Sequence, residues 1–72
     1  MKFDAIIKQL EQERNEAIDK EEQYHAEFEK YVRIGDLNTA AMYEYLENCA
    51  IATWLKLTDK IFKLYEGEDL VE

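Results

Sequence analysis

Glu22 and His25 stand three residues apart in the run Glu22-Gln23-Tyr24-His25, with Glu44 and Glu47 further along the chain. A Glu-x-x-His pair on one helix, completed by carboxylates from its neighbours, is the donor set of di-metal sites in helix bundles. Such a pair binds only if both side chains point inward together. The apolar seam of this stretch runs through Glu21, Tyr24 and Phe28, which sets His25 at its flank and Glu22 outside it. No metal site is expected, and His25 is expected at the surface, beside an interface. Nucleophilic chemistry has less to work with. The chain has no serine, one histidine, one cysteine and no glycine-rich loop to cradle a phosphate. We expect neither enzyme activity nor a cofactor.

The single cysteine, Cys49, lies inside an apolar run and is expected to be buried as a small apolar residue. It has no second cysteine to pair with and no Cys/His cluster to complete a zinc site. A lone thiol without a bridge suits a reducing compartment, so a cytoplasmic location is expected. Asp4 and Lys8 interrupt the one apolar cluster near Met1, so nothing there reads as a signal peptide. No uncharged run approaches the roughly 18 residues needed to span a bilayer. The formal net charge is −8. That charge repels a phosphate backbone and an anionic membrane alike, so neither is expected as a direct partner. A basic protein fits it.

The elements that must position these residues are helical. Proline is absent and glycine occurs only at Gly35 and Gly67. The stretch Ala40 to Tyr65 is the most apolar and holds the only tryptophan. Leu46, Ala50, Trp54, Leu57, Ile61 and Leu64 follow at steps of three and four and line one face of a helix. A second row, Ile51, Leu55, Phe62 and Tyr65, lies beside it and makes the band wider than one partner helix covers. Upstream, Phe3, Leu10, Ala17, Tyr24 and Tyr31 recur every seven residues, as do Ile7, Arg14, Glu21 and Phe28. Ile6, Ile18 and Val32 widen that seam. Arg14 and Glu21 are polar at seam positions. Either their heads reach solvent where the helices splay, or each finds a partner on another helix.

Ile34-Gly35-Asp36-Leu37-Asn38-Thr39 is the break between the two patterns. Gly35 fits the left-handed position past a helix end, and Asp36 or Asn38 can cap the next helix. The spacing predicts a single domain over 1–72: a helix over about 3–34, a turn at 35–38, a helix over about 38–66 ended by Gly67, and an acidic tail at 67–72. The turn GDLNTAA resembles the helix A to helix B turn of tetratricopeptide repeats, with Gly35 and Ala40 at that pattern's Gly and Ala. The likeness stops at the turn, because the helices are far longer and no period of about 34 residues exists. Folding about Gly35 pairs positions whose numbers sum to roughly 72. Ala17 then faces Trp54 and Leu55, Phe3 and Ile7 reach Tyr65 and Leu70, and Glu11, Glu13 and Glu16 approach Lys56, Lys60 and Lys63.

The expected fold is therefore all-α, a two-helix antiparallel hairpin. At 72 residues one core is marginal, and with disulfides and metals set aside, oligomerisation is the remaining means of support. Dimerisation into a four-helix bundle is expected, with Ile51, Leu55, Phe62 and Tyr65 at the interface. That layout is similar to the repressor-of-primer proteins, although their basic RNA-gripping face has no counterpart in this acidic chain. At the turn end, Tyr24, Glu27, Phe28, Tyr31, Tyr43, Glu44, Tyr45 and Glu47 bring aromatic and acidic side chains together. Such a surface suits a protein partner, with rings for contact and carboxylates to steer a basic molecule. The functional expectation is a non-enzymatic interaction module, a small acidic regulator or inhibitor of a larger protein. The alternatives are a nucleic-acid mimic that occupies the phosphate groove of a DNA- or RNA-binding enzyme, and a structural self-assembly piece.

Overall fold

A computed structural model describes residues 3–71, with side chains as far as Gly67. Two helices, α1 (Asp4–Arg33) and α2 (Leu37–Val71), run antiparallel, and no strand occurs among the described residues. The result is a rod whose Cα atoms span 56 × 14 × 11 Å. No helix of the described residues is long and apolar enough to cross a membrane.

The turn is built from hydrogen bonds that satisfy both helix ends. Gly35 sits at φ 83°, a left-handed backbone that a side chain disfavours. Its N–H donates to the Val32 carbonyl at 3.1 Å, and the Asp36 N–H donates to Tyr31 at 3.0 Å. These two bonds are the Schellman pattern that closes a helix C-terminus. Asp36 then caps α2: its carboxylate accepts from the Thr39 N–H at 3.2 Å and from the Thr39 hydroxyl at 2.8 Å. Because Asp36 rather than Asn38 is the cap, α2 begins at Leu37, and the connection is Ile34-Gly35-Asp36 instead of 35–38.

Gly67 does not end α2. The helix continues to Val71, so the expected acidic tail is helical through that residue. The physical reason is packing: a Cβ at Gly67 would lie 3.6 Å from Phe3 Cε2, so the glycine is covered by the start of α1. A glycine terminates a helix only when it turns left-handed, and Gly67 does not. The expected contact of Phe3 with Leu70 lies outside the described side chains.

The helical phase read from the spacing places the core. Ile7 and Ala17 of α1 and Ala40, Ala50, Leu57 and Ile61 of α2 are buried. Phe3, Leu10, Arg14, Glu21, Tyr24, Phe28 and Tyr31 line the α1 seam half-buried, as do Leu46, Trp54 and Leu64 on α2. Of the expected widening residues, Ile18 is half-buried, while Ile6 and Val32 are exposed.

Two further expectations fail. Cys49 is exposed. It stands one residue before Ala50, hence about 100° around the helix from the buried face, and an apolar neighbourhood in sequence does not compensate for that phase. The glutamate–lysine register pairs are also absent: among the described residues no ion pair joins Glu11, Glu13 or Glu16 to Lys56, Lys60 or Lys63. The three lysines are exposed. Lys63 instead bridges Asp59 of its own helix at 3.0 Å.

Candidate partner-binding surface

The hairpin brings the expected turn-end residues together and then sorts them. Tyr24, Tyr31 and Tyr43 turn into the interhelical seam. The Tyr31 and Tyr43 rings stack, with centroids 5.6 Å apart and planes 7° from parallel. Tyr24 meets Tyr43 at 6.4 Å in a tilted pair. The outer side of the stack is covered by Lys30, whose Nζ lies 5.5 Å from the Tyr31 centroid. Phe28 is half-buried against the His25 ring at 6.3 Å, and Glu27 is half-buried as well.

Glu47 is committed to His25. The imidazole reaches across the hairpin, with Nδ1 2.8 Å from Glu47 Oε2 and Nε2 3.0 Å from Glu29 Oε1 of its own helix. Ionised carboxylates only accept, so both ring nitrogens donate at once only in the imidazolium form. The Glu47 charge, helped by Glu29, accordingly raises the His25 pKa above its ordinary value despite some desolvation. The residue set aside as a metal ligand is thus a clasp between the helices. The register carries a signal for the clasp, because 25 and 47 sum to 72. Among the described residues no group of three His, Cys, Asp or Glu side chains is placed to hold a metal ion.

Glu44 and Tyr45 remain outside. Tyr45 is 69% exposed, and Met42, Leu37, Ile34 and Val32 are exposed around the same end of the rod. Glu44 is exposed and forms no ion pair among the described residues. The Cys49 side chain one turn on, by hydrogen bonding and charge, together with slight burial pushes the Tyr45 phenol pKa up. The second row of α2 is largely exposed: Leu55, Phe62 and Tyr65 are 52%, 67% and 45% exposed and Ile51 is half-buried, while the Tyr65 hydroxyl lies 3.5 Å from Glu11 Oε1 of α1. On the opposite side the small residues Ala17, Cys49, Ala50 and Thr53 leave a shallow groove edged by Glu13, Glu16 and Lys20. Its lining offers no cluster of catalytic groups. No protein-family model matches the chain, and no curated protein and no solved structure does either.

Proposed function

We propose that the chain is a non-enzymatic protein-interaction module, a small acidic regulator or inhibitor that pairs with a second copy of itself and engages a larger, basic protein. It would act in the cytoplasm, where a lone exposed thiol such as Cys49 stays reduced. The observation that carries the reading is the outward side of α2 at the turn end. There Tyr45 and Met42 are exposed next to Glu44, a carboxylate with no cation bound to it among the described residues. An amphipathic ring gives contact area at low entropic cost, and uncompensated carboxylates steer a basic surface toward it.

The test is capture from the source cells with three baits: the parent, Tyr45→Ala and Glu44→Lys. A protein retained by the parent and lost from both variants is the expected result. One retained equally by all three places the binding surface elsewhere and overturns the reading. Salt separates the alternative. A nucleic-acid mimic held by many phosphate-like carboxylates loses its partner steeply between low and moderate salt, whereas a ring-anchored interface does not.

A further inference from the structure

The hairpin encloses little. Among the described residues, three of the six buried ones are alanines, and no large side chain is fully enclosed. Two helices of 30 and 35 residues carry an ordering cost that so thin a seam does not offset. Away from the turn end, the exposed apolar side chains of α2 are those of its second row, Leu55, Phe62 and Tyr65 beside half-buried Ile51, and this row has an internal symmetry. Ile51, Leu55, Thr58, Phe62 and Tyr65 follow one another at steps of four, three, four and three. Counted outward from Thr58, a large apolar side chain is met after one turn and again after two, in both directions.

We propose that this row binds the same row of a second copy, with the two α2 helices antiparallel and a twofold axis beside Thr58. The proposal rests on the self-pairing in the function proposed above and specifies its geometry. A twofold contact is isologous, so each residue that meets a different one is met by it in return. Ile51 packs on Tyr65 of the second copy and Leu55 on its Phe62, aliphatic against ring at four places. Thr58 is small and spends its hydroxyl on the Trp54 carbonyl of its own helix, at 2.8 Å. It therefore brings no unpaired polar group to the axis and lets the helices approach.

Charge selects the antiparallel direction. Asp59, nearest the axis, is neutralised by Lys63 at 3.0 Å and does not repel its mate. The acidic turn ends are thrown to opposite ends of the assembly, roughly 65 Å apart along the axis, well beyond the ~10 Å over which exposed charges act. A parallel pair would set the two turn ends side by side. Turned about Thr58, the two α2 helices lie alongside each other from residue 45 to residue 71, a contact roughly 40 Å long.

The test uses the full chain with Cys49→Ser, carrying a nitroxide at Asp59→Cys in one sample and at Asn48→Cys in another. Both sites are exposed. Mass is measured by light scattering, and the spin–spin separation by pulsed resonance. The expected result is a mass twice the 8.6 kDa of the chain. The Asp59 labels should lie within about 20 Å of each other, and the Asn48 labels roughly 30 Å apart along the axis. A dimer whose two label pairs read the same separation is parallel, which overturns the arrangement and leaves self-pairing standing. A folded monomer overturns both. A mass that climbs with concentration means that the row of one copy fills the small-residue groove of the next, an open heterologous contact, and it too overturns the twofold.

Discussion

Trp54 donates its indole N–H to Glu21 Oε1 across the hairpin, at 2.8 Å. The bond explains a carboxylate at a seam position. Glu21 is half-buried between the helices, and the one donor on the largest side chain of α2 is aimed at it. Arg14, the other polar seam residue, is also half-buried but makes no hydrogen bond or ion pair among the described residues.

The first prediction concerns this pair. Trp54→Ala removes a half-buried ring and its bond, and should cost about 3 kcal/mol, the low end for a core aromatic. Trp54→Phe keeps most of the ring and should cost about 1 kcal/mol. Crossed with Glu21→Ala in a double-mutant cycle, Trp54→Phe should couple by more than about 0.5 kcal/mol. Denaturant melts at one fixed protein concentration measure this. Additive losses would mean that the bond contributes nothing and that Glu21 is merely tolerated in the seam.

Much of the fold was legible because helical phase is a strong signal over long elements. Ile7, Ala17, Leu57 and Ile61 are buried where steps of three and four put them, and Gly35 with Asp36 marks the turn. Cys49 has apolar neighbours in sequence but a helical phase that turns it outward. The glutamate–lysine pairs failed for another reason. Register fixes which residues stand level, but the exposed Glu13, Glu16 and lysine side chains have no cause to turn back across the groove, and half-buried Glu11 lies beside the Tyr65 hydroxyl at 3.5 Å instead. At Gly67 a local tendency met a tertiary contact, and the Phe3 ring prevailed. The turn-end surface was legible as a cluster, but which rings face the seam depends on azimuths that a few degrees of supercoil decide. Tyr43 and Tyr45, two residues apart, therefore end on opposite sides of the same helix.

The two glycines should respond to alanine with opposite signs. At Gly35 there is nothing within 4 Å of an added Cβ, yet φ 83° strains any side chain, so Gly35→Ala should cost about 1 kcal/mol. Gly67 is helical, and an added Cβ meets Phe3 at an ordinary 3.6 Å. Gly67→Ala should therefore stabilise by about 0.5 to 1 kcal/mol, by reducing the freedom of the unfolded chain and favouring the helix. Thermal melts of the two variants beside the parent decide it. A destabilised Gly67→Ala would mean that Phe3 packs more tightly on α2 than its contact distance implies.

Cys49 should react with a thiol reagent in the folded protein. It is exposed, at the rim of the shallow groove beside Ala50 and Thr53. A buried thiol would react only as fast as the hairpin opens. Titration with a chromogenic disulfide under native conditions should consume one equivalent at a rate close to that in denaturant. Slow, opening-limited reaction would mean that Cys49 is covered, most simply by another chain laid in the groove beside Ala50 and Thr53.

The last prediction is the pH dependence of the clasp. Glu47 and then Glu29 raise the His25 pKa above the ordinary 6.5. A group whose pKa is higher folded than unfolded stabilises the fold when protonated. The His25 contribution is therefore fully present below pH 6.5 and is lost as pH rises through the elevated folded value. Once the proton leaves, one ring nitrogen faces a carboxylate with no hydrogen to offer, and the link from α1 to α2 loosens. The parent should consequently lose melting temperature between slightly acid and mildly alkaline pH, and His25→Gln should remove that dependence over the same interval. Glu47→Gln should remove most of it and Glu29→Gln less, because Glu47 is the larger cause of the shift and lies on the opposite helix. A parent and a His25→Gln variant with parallel stability curves would mean that the imidazole is not held between the two carboxylates in solution.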